Sequence, residues 1–138
     1  MHTSHGDRAW EMPPFRRVQD SGILWGLGSD ATAVTTSNPF YTLWFAVTGK
    51  MVGGKVVNHQ TITREEALIA HTRSNSFFLM REDDLGSIAA GKLADLVVLD
   101  RDYLTIPPDQ IKDIKPVQTW VGGKMAFNSA TAPARATR

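Results

Sequence analysis

The chain of 138 residues contains no cysteine. Disulfides and thiolate metal sites are therefore excluded, and cysteine usage leaves the compartment open. No apolar run approaches the ~20 residues that span a bilayer. The N-terminus, Met1-His2-Thr3-Ser4-His5-Gly6-Asp7-Arg8, lacks the basic head and apolar centre of a signal peptide. Neither sign of charge dominates: the formal net charge is +1, which argues against a nucleic-acid binder and against an acidic disordered segment. Also missing are a Gly-x-Ser-x-Gly elbow and a His-Glu-x-x-His pair. At this length one domain with a modest core is expected, and a complete (β/α)8 barrel, which needs roughly 250 residues, is not. A soluble, cytoplasmic protein is the default expectation.

What is present is patterned as an α/β chain. Residues 1–12 are polar and read as an irregular loop. Pro13-Pro14 opens a short helix carrying Phe15 and Val18 on one face, ended by Ser21-Gly22. Ile23-Leu24-Trp25-Gly26-Leu27 then reads as a buried strand, with Gly28 turning the backbone and Asp30 at its carboxyl end. In parallel α/β folds, ligands and catalytic groups collect at that end. Asn38-Pro39 signals a helix start, with Phe40, Leu43, Trp44 and Val47 spaced three and four apart and a stop at Gly49. Lys50 to Gln60 reads as a loop. Thr63-Arg64-Glu65-Glu66 is a capping box whose helix should run to Ser74 or Asn75.

Beyond Met80 the period changes. Leu85 to Ile88 reads as a short strand or turn, Ala94 to Asp100 as a strand rich in β-branched residues, and Ile111 to Ile114 as a helical turn. Val117–Val121 and Met125–Phe127 form a hairpin around Gly122-Gly123, a pair suited to positive φ angles. The tail from residue 129 to 138, rich in Ala, Thr, Pro and Arg, is expected to be disordered.

Few groups carry chemistry. His2 and His5 sit in a polar terminus and read as solvated, His59 lies in a loop, and His71 reads as a packed or capping histidine rather than a ligand. Gly49 to Lys55 and Gly86 to Lys92 imitate phosphate loops, but Val56 and Leu93 stand where Ser or Thr must hold magnesium, so both are rejected. Glu65-Glu66 and Glu82-Asp83-Asp84 read as helix-start and loop charges. Asp30 remains, with an Asx turn as its plain structural alternative.

Gly26-Leu27-Gly28-Ser29-Asp30, together with Leu85-Gly86-Ser87-Ile88 and Gly91-Lys92-Leu93-Ala94-Asp95-Leu96-Val97-Val98-Leu99-Asp100, resembles the C-terminal part of the amidohydrolase superfamily. The similarity is greatest to its amidohydrolase-3 (YtcJ-like) branch of metal-dependent hydrolases. Trp10 with Pro13-Pro14-Phe15-Arg16, the Asn38-Pro39-Phe40 helix start, Thr63 to Leu68 and Val121 to Lys124 fit that branch in order, over about residues 5 to 128.

The resemblance implies a fold: the last strand and helices of a TIM-like (β/α)8 barrel over residues 1–81, then part of a small β-sandwich over 82–128, with the barrel incomplete. It implies a hydrolase of non-peptide carbon–nitrogen bonds, with Asp30 as metal ligand and as general base for the attacking water. It also implies a divalent metal, zinc or similar, in the complete enzyme. The family's His-x-His pair and its middle-strand ligands have no counterpart here, so the chain alone is expected to bind no metal and to be inactive. A truncated reading frame, a split gene or an excised piece would account for this. The implied partners are a small amide-like substrate and either the missing barrel portion or further copies of the chain, with no nucleic acid and no membrane. The competing expectation is a non-catalytic structural or partner-binding module.

Overall fold

The computed structural model describes residues 2–31 and 36–131, with the backbone alone for His2 and Thr3. Five short helices precede a three-stranded antiparallel sheet. The helices are α1 (His2–His5), α2 (Phe15–Asp20), α3 (Pro39–Thr48), α4 (Arg64–His71) and α5 (Arg73–Phe78). The strands are β1 (Leu96–Leu99), β2 (Pro116–Val121) and β3 (Lys124–Asn128), in the order β1-β2-β3. Two 3₁₀ helices cover Gly6–Glu11 and Pro108–Asp113.

The core is built on α3. The Asn38 side chain accepts the Phe40 amide at 3.0 Å, Pro39 occupies the first turn, and Gly49 ends the helix in the left-handed region at φ 66°. Phe40, Leu43, Trp44 and Ala46 are buried there against Ile62, Ala67, Ala70, Tyr103, Ile111 and Ile114. Each large side chain in that set contributes roughly 1.5–3 kcal/mol by leaving water. α3 packs on the Pro108–Asp113 helix and on α4. Lys50 reinforces the first contact: its ammonium reaches both carboxylate oxygens of Asp109 at 2.8 Å.

α4 begins at the expected capping box. The Thr63 hydroxyl accepts the Glu66 amide at 3.2 Å, and the Glu66 carboxylate accepts the Thr63 amide at 2.8 Å. The helix does not run unbroken to Ser74, however. Thr72 leaves helical geometry (φ −122°, ψ −79°), and α5 resumes at Arg73 and reaches Phe78. The break lets α5 turn toward the loop that carries Gly86. A Cβ there would lie 2.5 Å from Ser76 Oγ and 2.9 Å from Arg73 Cα, so only glycine permits the approach. Residues 85–88 form a turn and no strand.

In the sheet, Leu96 pairs with Trp120 and Trp120 with Met125, which places the three on one face; Val97, Thr119 and Phe127 share the other. Gly122 and Gly123, at φ 56° and 76°, make the two-residue turn that suits a hairpin's twist. Asp95 clamps the hairpin, its carboxylate accepting the Gly122 amide at 2.6 Å, while the Gly123 amide donates to the Ala94 carbonyl at 3.1 Å. At the other end of β1, Asp100 accepts the Lys115 amide at 2.9 Å. The two aspartates of the Ala94–Asp100 motif therefore fix the strand at both ends.

Two further expectations fail. Residues 2–11 are not an irregular loop but α1 and a 3₁₀ helix. Tertiary contact holds that stretch: Trp10 stacks on His59 with ring centroids 5.2 Å apart, and its carbonyl accepts the His59 amide at 2.7 Å. Ile23–Leu27 is not a buried strand. It belongs to no ladder among the described residues, and Ile23 and Leu24 are 68% and 46% exposed, against 5% for Leu27. A strand exists only beside another extended segment, and the described neighbours of this one are helices. Of the tail expected to be disordered, residues 132–138 lie outside the described residues, while 129–131 form a turn whose Ser129 amide donates to the Val117 carbonyl.

Candidate functional site

The candidate site is the Ile23–Asp30 segment and the elements that grip it. On one side is α2. The Trp25 indole donates to Gln19 Oε1 at 2.9 Å, and its ring stacks on Phe15 at 5.9 Å. On the other side is the α4–α5 junction. The Leu27 amide donates to the Ala70 carbonyl at 3.0 Å, and Asn75 Nδ2 donates to the Leu27 carbonyl at 3.0 Å and to the His71 carbonyl at 3.2 Å. Leu27 is thus held through both its backbone groups. Gly26 makes the grip possible, because a Cβ there would lie 2.0 Å from Asn75 Oδ1.

The two gripping elements are tied to each other. Arg16 on α2 forms a fork to Glu66 on α4, Nη1 to Oε2 at 3.0 Å and Nη2 to Oε1 at 2.7 Å. A two-point guanidinium–carboxylate contact fixes orientation as well as distance. The Arg16 guanidinium first, and then the Thr63 amide, hold the Glu66 carboxyl below the usual carboxylate range. Glu66 also raises the Arg16 pKa in return. One carboxylate accordingly caps α4 and braces α2.

Asp30 emerges three residues beyond the clamped Leu27. It is exposed, with a left-handed backbone at φ 49°, a conformation that aspartate tolerates better than most non-glycine residues. Its position at the carboxyl end of a strand is not realised, since residues 23–30 form no strand.

Among the described residues no three His, Asp or Glu side chains group closely enough to hold a metal ion. A catalytic metal typically needs three or more protein ligands. One exposed carboxylate does not fit that requirement, so the donors described in this chain do not by themselves make a metal centre.

The histidines stay apart. His5 and His59 are exposed, the latter stacked on Trp10. His71 is half-buried on α4, where its Nε2 is buried without a hydrogen-bond partner among the described residues. Lys92, in the second glycine-rich stretch, spends its ammonium on the loop itself, donating to the Glu82 carbonyl at 2.5 Å and the Leu85 carbonyl at 3.0 Å. It is a brace there, in keeping with the rejection of that stretch as a phosphate loop.

Sequence reading missed Asn75 and the Arg16–Glu66 fork. Asn75 read only as a helix end, since nothing local signals a partner 48 residues away in sequence. Glu66 was visible as a capping residue, but its second role depends on α2 lying against α4.

The chain is similar to several proteins of one kind. It is 32% identical over 115 residues to an N-substituted formamide deformylase of Arthrobacter pascens, covering 83% of this chain and 21% of that protein. It is 39% identical over 71 residues to an imidazolonepropionase of Bacteroides fragilis, covering 51% of this chain and 17% of that protein. Its fold superposes on the crystal structure of an amidohydrolase from Thermotoga maritima with a TM-score of 0.65 at 20% identity, over 83% of this chain and 26% of that one. The chain spans about a fifth of the length of the curated relatives it matches. The amidohydrolase family model matches residues 3–127, and across that span this chain belongs to the amidohydrolase family.

Proposed function

We propose that this chain is the C-terminal portion of an amidohydrolase that cleaves carbon–nitrogen bonds other than peptide bonds, and that Asp30 is its contribution to the catalytic centre. The observation that carries the reading is the family match over residues 3–127, together with relatives named for hydrolysis of formamide and imidazolone groups. In this reading residues 1–81 are the end of a (β/α)8 barrel and residues 82–128 part of the flanking β-sandwich, and most of the barrel lies in the four-fifths of a full-length relative that this chain does not span.

Asp30 is proposed as a metal ligand and as the base that receives the proton of the attacking water. A divalent metal, zinc or similar, would supply Lewis acidity in the completed enzyme. The donors described here do not hold it, so in this reading the remaining ligands come from the rest of the barrel. The part this chain performs is positional. The Leu27 clamp and the Arg16–Glu66 fork set where the Gly28–Asp30 segment starts, and a base works only within hydrogen-bond reach of the proton it takes. The substrate would be a small amide-like molecule.

The test is a chimera in which residues 3–127 replace the matching segment of the Arthrobacter pascens deformylase. Hydrolysis of an N-substituted formamide is expected. Asp30→Asn should lower kcat by roughly 10²–10⁴-fold, the usual contribution of a general base, and leave the melting temperature unchanged. Activity indifferent to Asp30→Asn would remove the proposed role. A second reading, a non-catalytic partner-binding module, is favoured by the exposed apolar side chains around Ile23; it predicts a folded chimera without turnover.

A further inference from the structure

The sheet has two unlike edges. In an antiparallel ladder the main-chain groups of successive residues point alternately to one side of the strand and to the other. Ala94 and Asp100 both meet the β2 side, Ala94 through its carbonyl to the Gly123 amide and Asp100 through its amide to the Lys115 carbonyl. The register shift beside Leu99 places the extra residue, Val117, on β2, so β1 keeps its alternation. Leu96 and Val98 therefore face β2, while Val97 and Leu99 turn amide and carbonyl to the outer edge. Among the described residues no hydrogen bond reaches those four groups.

Sheets usually guard such an edge with a charge, a proline or a bulge. The opposite edge strand, β3, carries Lys124. β1 is Leu96-Val97-Val98-Leu99, with no such guard within it, and Val97 and Val98 are 52% and 46% exposed. Its charges lie just outside, Asp95 before the strand and Arg101 after it. Asp95 spends Oδ1 on the Gly122 amide and keeps Oδ2 open. Arg101 holds Asp100 through Nε and Nη2 and keeps Nη1 open.

This pattern names the strand that fits it. Two copies of β1, laid antiparallel about a two-fold axis through Val98, set Val97 opposite Leu99 of the second copy, and Leu99 opposite its Val97. Four main-chain hydrogen bonds then satisfy all the outward groups. Val98 meets its own counterpart, apolar on apolar. Asp95 of each copy stands across from Arg101 of the other, so the end charges attract. Moving the axis to Val97 would instead set Asp95 against Leu99, a carboxylate beside an apolar side chain. The strand is thus self-complementary about one point, as an isologous contact requires.

We propose that this chain pairs with a second copy of itself, β1 against β1 about Val98, to make one six-stranded sheet. Main-chain bonds supply the attraction, and the order of the end charges selects the register. The contact is short, so the dimer dissociates on dilution. The proposal does not depend on the catalytic reading of Asp30.

Sedimentation of the intact chain over about a 100-fold range of concentration tests it, with hydrogen exchange read at both ends of the range. The mass is expected to rise from 15.2 kDa to twice that value. Over the same range the Val97 and Leu99 amides should slow by at least about 10-fold, while those of Leu96 and Val98 stay protected throughout. Val98→Lys sets two ammonium groups face to face at the axis and should weaken dimerisation by about 100-fold or more. A mass of 15.2 kDa at every concentration overturns the proposal. So does a dimer whose Val97 and Leu99 amides exchange as fast as in the monomer, or one that Val98→Lys leaves intact. Slow exchange of both amides at every dilution, with a monomeric mass, would show that another part of the chain covers this edge, and would end the proposal too. If Val98→Lys does not fold, the mass and the amides of the parent chain decide the matter.

Discussion

Substituting Gly26 tests whether the Leu27 clamp is as close-fitting as the geometry requires. The Gly26 backbone is not in the left-handed region, so alanine is compatible with its φ angle. Through the unfolded state alone, Gly26→Ala would stabilise by about 0.4–1 kcal/mol. Against this, the added Cβ would lie 2.0 Å from Asn75 Oδ1 and 3.2 Å from Phe78 Cε2. Asn75 cannot swing aside freely, since its amide nitrogen is spent on two carbonyls. Overpacking costs about 1–3 kcal/mol and losing a hydrogen bond about 1 kcal/mol. The net expectation is a loss of about 2 kcal/mol, or roughly 7 °C in melting temperature for a chain of this length. The discriminating step is a repeat in an Asn75→Ala background. With the obstructing side chain removed, Gly26→Ala should be neutral or slightly stabilising, a coupling of at least about 1.5 kcal/mol in urea denaturation. Additivity within about 0.5 kcal/mol would mean that Gly26 and Asn75 do not meet, and the account of how Asp30 is positioned would fall with it.

Other outcomes follow from the same contacts. Glu66→Gln should cost about 2 kcal/mol at pH 7, as the cap weakens and the guanidinium loses its charged partner. The folded-state pKa of Glu66 is depressed, so its contribution is present above the unfolded value of about 4.3 and is lost as the pH falls through the folded value. The variant and the parent should therefore converge in stability toward acid pH; a gap unchanged between pH 7 and pH 3 would contradict the fork. Burial pushes the Tyr103 hydroxyl up to about 12 while it donates to the Arg64 carbonyl at 3.0 Å. Its contribution should hold below pH 10 and decline between about 10 and 12, and Tyr103→Phe should remove that part of the alkaline slope in chemical denaturation. Leu43→Ala should cost about 2–5 kcal/mol, whereas Asp30→Asn should leave stability within 0.5 kcal/mol, both measured by urea titration.

Where order comes from neighbouring residues, the sequence sufficed. Asn38-Pro39 and Gly49 bracket α3, Thr63 and Glu66 start α4, and Gly122-Gly123 turns the hairpin, each through contacts within a few residues. Family membership was legible as well, because the Gly-Ser-Asp and Gly-Ser-Ile…Gly-Lys…Ala-Asp-Leu segments stand in order as strings. The second string has a structural basis: Gly86 admits α5 and Asp95 clamps the hairpin.

Tertiary structure decided what depends on distant partners. Ile23–Leu27 has the composition of a buried strand, but a strand needs a neighbour to bond with, and no described part of the chain supplies one. The helical N-terminal stretch is held by His59, some fifty residues on, and the Leu27 clamp by Asn75. Sequence alone named Asp30 as the residue to watch. Folding determined that it follows a clamped Leu27 as an exposed carboxylate, because the contacts on Trp25 and Leu27 come from α2, α4 and α5, and no local pattern encodes how those three helices meet.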